Sequence, residues 1–253
     1  MTGTFTITFG DQAENHVGMQ KIGTLSNNGY NLSDLLTIRK YLEGQGIKSD
    51  IFDLNYVLEP LDIYPDNEAY ILIISDGVNK FINENASKYI FEELNNLNWD
   101  CKALMYGRVV NKNARYNLCF GDISQKPNYE KGRGTIVHFK SVPTLRILKE
   151  KIKEITNDDL VAEGNFYYDI SKCGIGYHGD SERKKVIEIR IGQTIPLVYQ
   201  WYFQSEPIGE PIIFKFNDGD IYIMSEKATG NDWKCKNKYT LRHAAGCSKY
   251  TSI

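Results

Sequence analysis

Short strand-like segments fill most of the second half of the sequence, and this pattern constrains the fold more than any other feature. Each segment is rich in β-branched, aromatic or other apolar residues, and turns containing Gly, Asp and Asn separate them. The segments are residues 166–170, 186–191, 195–203, 212–216, 221–224, 239–243 and 250–253. Several short strands in series predict an all-β barrel or jelly roll.

The first hundred residues follow a different pattern, in which strand and helix signals alternate. The strand candidates are residues 4–9, 47–54 and 70–74. The apolar run 70–74 is typical of a strand covered on both faces, as in a parallel sheet. Helices are expected after Asn31 or Ser33, which precede apolar residues at helical spacing, and over residues 86–97. This order predicts a small α/β domain of unknown role over residues 1–98.

The composition is that of a globular protein without a strong overall charge. Of 253 residues, 42% are hydrophobic, and the formal net charge of −2 gives no whole-chain attraction to nucleic acid or to an anionic membrane. The five cysteines are odd in number and scattered, which argues against a disulfide framework or a zinc knuckle. Because no apolar run is long enough for a membrane span and no targeting segment is recognisable, we expect an intracellular protein, cytoplasmic or nuclear.

A polar loop between Gly10 and Gly18 follows the first strand. Glycines after a strand sometimes open an anion-binding helix terminus. This loop has neither the glycine fingerprint of a dinucleotide site nor the lysine of a phosphate loop. We therefore expect a surface turn, with His16 as an ordinary polar surface residue.

The triplet His178-Gly179-Asp180 and the distant His243 form a candidate metal site. Two imidazoles and one carboxylate can hold a divalent iron on one face and leave the opposite face open. Because His178 and Asp180 are two residues apart, both side chains point to the same side of a strand. The residue types therefore indicate an oxygenase.

The residues around this triplet resemble the signature of the AlkB-like iron(II)/2-oxoglutarate-dependent dioxygenases. In that family an Asn-x-Tyr element precedes an Ile-Gly-x-His-x-Asp-Asp-Glu-like element. Here Asn165 and Tyr168 precede the run Ile175-Gly176-Tyr177-His178-Gly179-Asp180-Ser181-Glu182. Upstream, the order of Asn113-Ala114-Arg115-Tyr116, Tyr129 and Pro143 is similar to that of the family's nucleotide-recognition lid, tyrosine hairpin and leading helix. The resemblance covers roughly residues 100–253.

The resemblance implies both a fold and a reaction. The implied fold class is α+β, with a double-stranded β-helix (jelly-roll) catalytic domain over residues 99–253 preceded by the small α/β domain. Fe(II) would be held by His178, Asp180 and His243, with 2-oxoglutarate and O2 as co-substrates. Oxidative decarboxylation would yield succinate and carbon dioxide and hydroxylate a nearby C–H bond.

The third metal ligand has two candidates. The family usually places it in a Trp-x-His element after a Gly-Asp-Leu-like strand, and here Cys235 stands in that position, after Trp233. A longer hairpin would instead give the role to His243. We favour His243, because imidazole is the ordinary ligand and Ala244 and Ala245 leave room around it.

The distal carboxylate of 2-oxoglutarate needs a cation, which the family usually provides as an arginine after the distal histidine. Lys249 is the first candidate by position, although a single ammonium lacks the two-pronged geometry of guanidinium. Arg190, on a predicted strand, is the competitor. Asn165 and Tyr168 are expected to hydrogen-bond the co-substrate.

The resemblance implies N-alkylated nucleobases as substrates, with Arg115, Tyr116, Tyr129 and Glu182 as substrate-binding residues. A local basic stretch interleaved with aromatic residues, including Phe120, is consistent with a flipped base and its phosphates. A second hypothesis is a hydroxylase of a protein side chain or a small metabolite, with residues 1–98 recruiting the substrate or a protein partner. A third is a binding module without catalysis.

Overall fold

Two β-sheets face each other, and helices cover the outer surface of the larger sheet. The computed structural model describes residues 3–253, so Met1 and Thr2 of the predicted N-terminal domain lie outside the described residues. Along the chain, the strands are β1 (Thr4–Gly10), β2 (Gln12–Glu14), β3 (Lys21–Gly23), β4 (Asp50–Asp53), β5 (Tyr70–Ile74), β6 (Lys102–Met105), β7 (Arg108–Asn111), β8 (Tyr116–Gly121), β9 (Ile136–His138), β10 (Val161–Tyr167), β11 (Gly174–His178), β12 (Val186–Gly192), β13 (Ile195–Phe203), β14 (Glu206–Phe216), β15 (Ile221–Met224) and β16 (Thr240–Gly246). The α-helices are α1 (Leu32–Gly44), α2 (Gly77–Phe81), α3 (Ala86–Asn95), α4 (Pro143–Thr156), α5 (Glu226–Thr229) and α6 (Ser248–Thr251).

The larger sheet has eight strands in the order β4-β5-β15-β12-β1-β10-β8-β9, and the smaller sheet has four in the order β11-β16-β13-β14. Neighbouring strands are antiparallel except for β8 and β9, which are parallel. The pairs β2-β3 and β6-β7 form separate two-stranded ribbons. Strand β1 is thus central, because β10 and β12 pair with it on either side.

Strand β1 separates two environments, because successive side chains of a strand point to opposite faces of its sheet. One set, Phe5, Ile7 and Phe9, is fully buried in the core beneath the helices. The alternate set, Thr4, Thr6 and Thr8, is also buried but faces the smaller sheet. Strand β12 alternates in the same way, with three isoleucines in the helix-side core and Glu188 and Arg190 on the other face.

The helix-side core holds α1, α3 and α4 against the larger sheet. Helix α1 begins with a capping box, in which Asn31 accepts a hydrogen bond from the Asp34 amide and Asp34 accepts one from the Asn31 amide. Its residues Leu35, Ile38 and Leu42 are buried at helical spacing. The predicted helix with Asn31 at its start is therefore confirmed.

A second core lies between the two sheets. It joins Tyr199, Trp201 and Leu241 of the smaller sheet to Tyr222 and Met224 of the larger one. The indole N–H of Trp201 donates to the Leu54 carbonyl, so this buried ring has a polar partner.

The expectation of a mixed α/β protein is confirmed, since the structure is mostly sheet with few helices. Three local predictions are wrong. The strand predicted over residues 166–170 lies earlier in the chain, since β10 ends at Tyr167. Residues 250–253 do not form a strand, because helix α6 extends through Tyr250 and Thr251. Strand β5 is antiparallel to both neighbours rather than part of a parallel sheet. No helix within residues 3–253 has the length and apolarity needed to cross a membrane.

The domain boundary expected at residue 98 does not coincide with a division between the sheets. Strands β1, β4 and β5, from the first 98 residues, lie in the same sheet as β10, β12 and β15. Strand β1 pairs along its whole length with β10, so the hydrogen bonds of the sheet cross the expected boundary.

Candidate metal centre

Three metal-ligand side chains meet where β11 and β16 lie side by side. The register of these strands places His178 opposite His243, and Asp180 follows just after β11. The Oδ1 atom of Asp180 lies 3.7 Å from Nε2 of His178 and 3.9 Å from Nε2 of His243. All three ligand atoms lie within 4.8 Å of one another. Two imidazole nitrogens and one carboxylate oxygen therefore converge, as a facial metal site requires.

The protonation states of the two imidazoles suit metal binding. Burial lowers the pKa of His178 to about 4 and holds the pKa of His243 well below its usual value, so both rings are neutral near pH 7. The Nδ1–H of His178 donates to the Gly176 carbonyl at 2.9 Å, which leaves the Nε2 lone pair available. The Nδ1 atom of His243 is buried and has no hydrogen-bond partner among the described residues.

Asp180 is buried between these neutral rings, and burial raises its pKa well above the usual value. A divalent cation at the three ligand atoms would compensate the carboxylate charge. The donor set, two neutral nitrogens and one oxygen, fits non-haem Fe(II).

Gly179 allows the two ligands to be so close in the chain. A Cβ atom at Gly179 would lie 1.9 Å from the Gly230 carbonyl oxygen, so only glycine fits there. The adjacent amide of Asp180 donates to the Thr229 carbonyl at 2.9 Å. The C-terminal end of α5, at Thr229 and Gly230, thus fixes the backbone that carries Asp180.

Cys235 does not belong to the cluster. Its side chain is exposed, whereas His243 is buried within reach of the other two ligands. The structure therefore brings together the set with His243, the alternative favoured from the sequence.

The three ligands open into a cavity of about 480 Å³ between the two sheets. The larger sheet contributes Thr6, Thr8, Glu163, Asn165, Tyr167, Glu188, Arg190 and Tyr222 to its lining. The smaller sheet contributes Ile175, Leu197 and Ala245 beside the histidines. Such a concave site with a few converging polar groups is typical of small-molecule binding.

Arg190 is the most distinctive side chain of this cavity. It is only 1% exposed, and no carboxylate among residues 3–253 lies within ion-pairing distance of it, although Glu188 and Asp220 act on its charge at longer range. Its Nη1 donates to the Thr6 hydroxyl, while its Nε has no acceptor within the described residues. A buried guanidinium without a neutralising partner is costly unless a ligand supplies the anion. Arg190 thus has the properties expected of a carboxylate-binding residue.

Two of the predicted co-substrate residues lie outside the cavity. Lys249 is exposed on the short helix α6, because that segment is helical and does not form the strand expected from the sequence. The Tyr168 hydroxyl donates to the Asn113 carbonyl at 2.8 Å, away from the metal ligands. Asn165 does line the cavity, where its Oδ1 accepts from Arg115 Nε at 2.7 Å.

The predicted substrate-binding residues also divide into two groups. Arg115 and Glu182 line the cavity. Tyr116 lies outside it and stacks on Tyr168 with ring centroids 4.6 Å apart. Tyr129 lies beside a separate surface hollow, and its hydroxyl donates to Asp100. Phe120 is fully buried in the helix-side core, so it cannot stack on a base.

The mouth of the cavity was not predicted from the sequence. We define it by six lining residues, Glu14, His16, Val17, Lys21, Trp233 and Lys234. Val17, Lys21 and Lys234 are exposed and so mark the opening to solvent. The loop expected to be a simple surface turn, including His16, thus borders the cavity of the candidate metal centre. The position of this loop beside the cavity depends on long-range packing, and the loop itself carries no local motif that would predict it.

Arg183 and Glu163 were also missed. Arg183 is 3% exposed and contacts Glu163, Glu182 and Asp180. The sequence offered one usable signal, because Arg183 follows the metal-ligand motif directly.

No family model matches the sequence. The chain is similar to the uncharacterized protein R156 of Acanthamoeba polyphaga mimivirus, with 54% identity over 248 residues. The similarity spans 98% of this chain and 97% of the viral protein. The relationship therefore extends over both sheets and the cavity between them.

Proposed function

The chain belongs to the family of the mimivirus protein R156, and we propose that it is an iron(II)/2-oxoglutarate-dependent dioxygenase of the AlkB-like kind. One observation carries the proposal: the His178, Asp180 and His243 cluster shares a single cavity with the unpaired, buried Arg190. A facial metal site and a carboxylate-binding cation in one cavity are what a 2-oxo dicarboxylic acid requires as a co-substrate.

The arrangement of strands supports a double-stranded β-helix. Strands β10, β1, β12 and β15 are consecutive in the larger sheet, and they face the four strands β11, β16, β13 and β14. Eight antiparallel strands in two facing sheets correspond to a jelly roll. In this proposal the N-terminal strand β1 completes the barrel between β10 and β12, so residues 4–10 belong to the catalytic fold.

His178, Asp180 and His243 would hold the iron. With 2-oxoglutarate and O2, iron held there would supply the oxidant for hydroxylation of a substrate C–H bond, with succinate and carbon dioxide as co-products. Both imidazoles are neutral at neutral pH and offer their Nε2 lone pairs, so neither histidine has to lose a proton when the metal binds. The two sheets shield the ligands from bulk water.

Arg190 would bind the distal carboxylate of 2-oxoglutarate. Its hydrogen bond to Thr6 fixes the guanidinium in the cavity wall. The carboxylate of Glu188 lies in the same cavity but is already engaged, since the hydroxyls of Thr8 and Tyr222 donate to it. Burial also raises the pKa of Glu188, which reduces its repulsion of an anionic ligand.

For the substrate we propose an N-alkylated nucleobase in nucleic acid. Lys21 and Lys234 at the mouth and Arg115 inside the cavity supply cations, and the rings of His16 and Trp233 supply stacking surfaces. Hydroxylation of an N-methyl group would release formaldehyde and restore the base. The carboxylate of Glu14 at the same mouth favours a second candidate, a cationic protein side chain or metabolite.

Turnover assays with iron and 2-oxoglutarate test the reaction. We expect the wild type to form succinate, and His178→Ala and Asp180→Ala to abolish it. Cys235→Ala is the matched control, because this exposed residue lies outside the cluster and its loss should leave succinate formation unchanged. If the His178→Ala and Asp180→Ala variants remain fully active, the proposal is wrong.

The substrate requires a separate comparison. Methylated oligonucleotides, lysine- or arginine-rich peptides and free amino acids would be added to the same assay. Under the nucleobase proposal only the oligonucleotides should stimulate succinate formation and release formaldehyde. Stimulation by peptides alone would instead favour the second candidate.

A further inference from the structure

The guanidinium of Arg183 lies beside the candidate metal ligand Asp180. The two carboxylate oxygens of Asp180 have different neighbours: Oδ1 is near both histidine Nε2 atoms, whereas Oδ2 lies 3.9 Å from Arg183 Nε. Arg183 is 3% exposed, so water does not weaken this interaction appreciably.

Two further carboxylates hold the guanidinium in place. Arg183 Nη2 contacts Glu163 Oε2 at 2.5 Å and Glu182 Oε1 at 2.6 Å, and Arg183 Nε donates to the same Glu182 oxygen at 3.0 Å. Glu163 lies on β10 of the larger sheet. Arg183 therefore ties the loop that carries Asp180 to the opposite wall of the cavity.

The contacts continue from Glu163 into the cavity wall. Its Oε1 atom accepts from Asn165 Nδ2 at 3.4 Å, and Asn165 Oδ1 accepts from Arg115 Nε at 2.7 Å. A continuous polar chain thus runs from Asp180 through Arg183 and Glu163 to Arg115. All of these residues line the same cavity.

We propose that Arg183 is a positioning residue, which orients Asp180 so that the carboxylate binds the metal through Oδ1 alone. This inference rests on the proposed metal site. A carboxylate that bound through both oxygens would occupy an additional coordination position, whereas a co-substrate and dioxygen need three. By attracting Oδ2, the guanidinium disfavours the two-oxygen mode and keeps those positions open.

Binding of Mn²⁺ to the metal-free full-length protein, followed by electron paramagnetic resonance, tests the inference without relying on turnover. Arg183→Gln should weaken Mn²⁺ binding by about 10- to 100-fold, the usual effect of losing a group that orients a metal ligand. Arg183→Lys should give an intermediate loss, because it keeps the charge but not the forked geometry. Glu163→Gln, which loosens the anchor of Arg183, should also weaken binding. Arg146→Gln, an exposed arginine on α4, is the matched control and should bind as the wild type does.

The outcomes separate this inference from the proposed function. If the wild type binds Mn²⁺ and Arg183→Gln binds it with equal affinity, the positioning role is wrong while the metal site stands. If the wild type binds no Mn²⁺, both are wrong. Should Arg183→Gln fail to fold, as judged by circular dichroism, Arg183→Lys and Glu163→Gln decide: unchanged affinity in both overturns the inference.

Discussion

Replacing Arg190 by methionine should separate binding of 2-oxoglutarate from stability of the fold. The side chain is almost fully buried in the cavity wall, with the Thr6 hydroxyl as an acceptor and no carboxylate within ion-pairing distance among residues 3–253. Methionine fills a similar space without the charge. The substitution therefore removes the proposed carboxylate-binding group while it largely preserves the packing.

The expected changes in KM and in unfolding free energy follow from the interactions that Arg190 makes. A hydrogen bond to a charged group contributes about 1.5–3 kcal/mol, and each 1.4 kcal/mol corresponds to about tenfold in affinity. We therefore expect Arg190→Met to raise the KM for 2-oxoglutarate by about 10- to 100-fold. The unfolding free energy of the metal-free protein should stay within about 1 kcal/mol of the wild type or rise, because a buried unpaired charge is removed.

Steady-state succinate assays and chemical denaturation would measure the two quantities on the same preparations. Lys249→Met is the matched control, since this exposed lysine was the alternative cation and should leave the KM unchanged. The proposed role of Arg190 is wrong if Lys249→Met raises the KM for 2-oxoglutarate and Arg190→Met does not. A large loss of stability in Arg190→Met would show that Arg190 is structural and not a ligand-binding residue.

Three further perturbations test other parts of the account. Gly179→Ala should abolish metal binding, measured by Mn²⁺ titration, because its Cβ would collide with the Gly230 carbonyl; unchanged binding would contradict the role given to that turn. Ile7→Ala should destabilise the whole protein by about 2–5 kcal/mol in a single denaturation transition, because β1 lies at the centre of the shared sheet; separate transitions would indicate independent domains. Burial lowers the pKa of Lys112 to about 8 in the folded protein, whereas its pKa in the unfolded chain is near 10.5. Between these two pH values the lysine keeps its proton only in the unfolded state. The stability of the wild type relative to Lys112→Met should therefore rise through that window, and a flat difference in denaturation midpoints would contradict the shift.

The sequence predicted the elements whose signals are local. The strands at 195–203 and 221–224 match the structure, because each is an apolar run that begins shortly after a glycine, Gly192 and Gly219. The helix after Asn31 was recognisable from its cap and its apolar spacing. Two of the three candidate metal ligands were recognisable for the same reason, since His178 and Asp180 stand in a short motif.

The features that escaped prediction depend on contacts between distant parts of the chain. The alternation of Thr4 to Phe9 predicted a strand, but not that it would pair with Tyr167 and Gly192 at the far side of the sequence. The same pairing brings the loop with His16 to the cavity. The sequence could not favour Arg190 over Lys249 as the cation for 2-oxoglutarate. The burial of Arg190 and the helical conformation of α6, which carries Lys249, are both decided by tertiary packing.

The most direct test of the central proposal is an anaerobic titration of the metal-free protein with Fe(II), followed by 2-oxoglutarate, with visible absorption as the readout. We expect one bound iron per chain and a charge-transfer absorption on addition of 2-oxoglutarate. Both should disappear in His178→Ala and His243→Ala and persist in Cys235→Ala. An absorption that persists in the two histidine variants, or a wild type that binds no iron, would contradict the proposal.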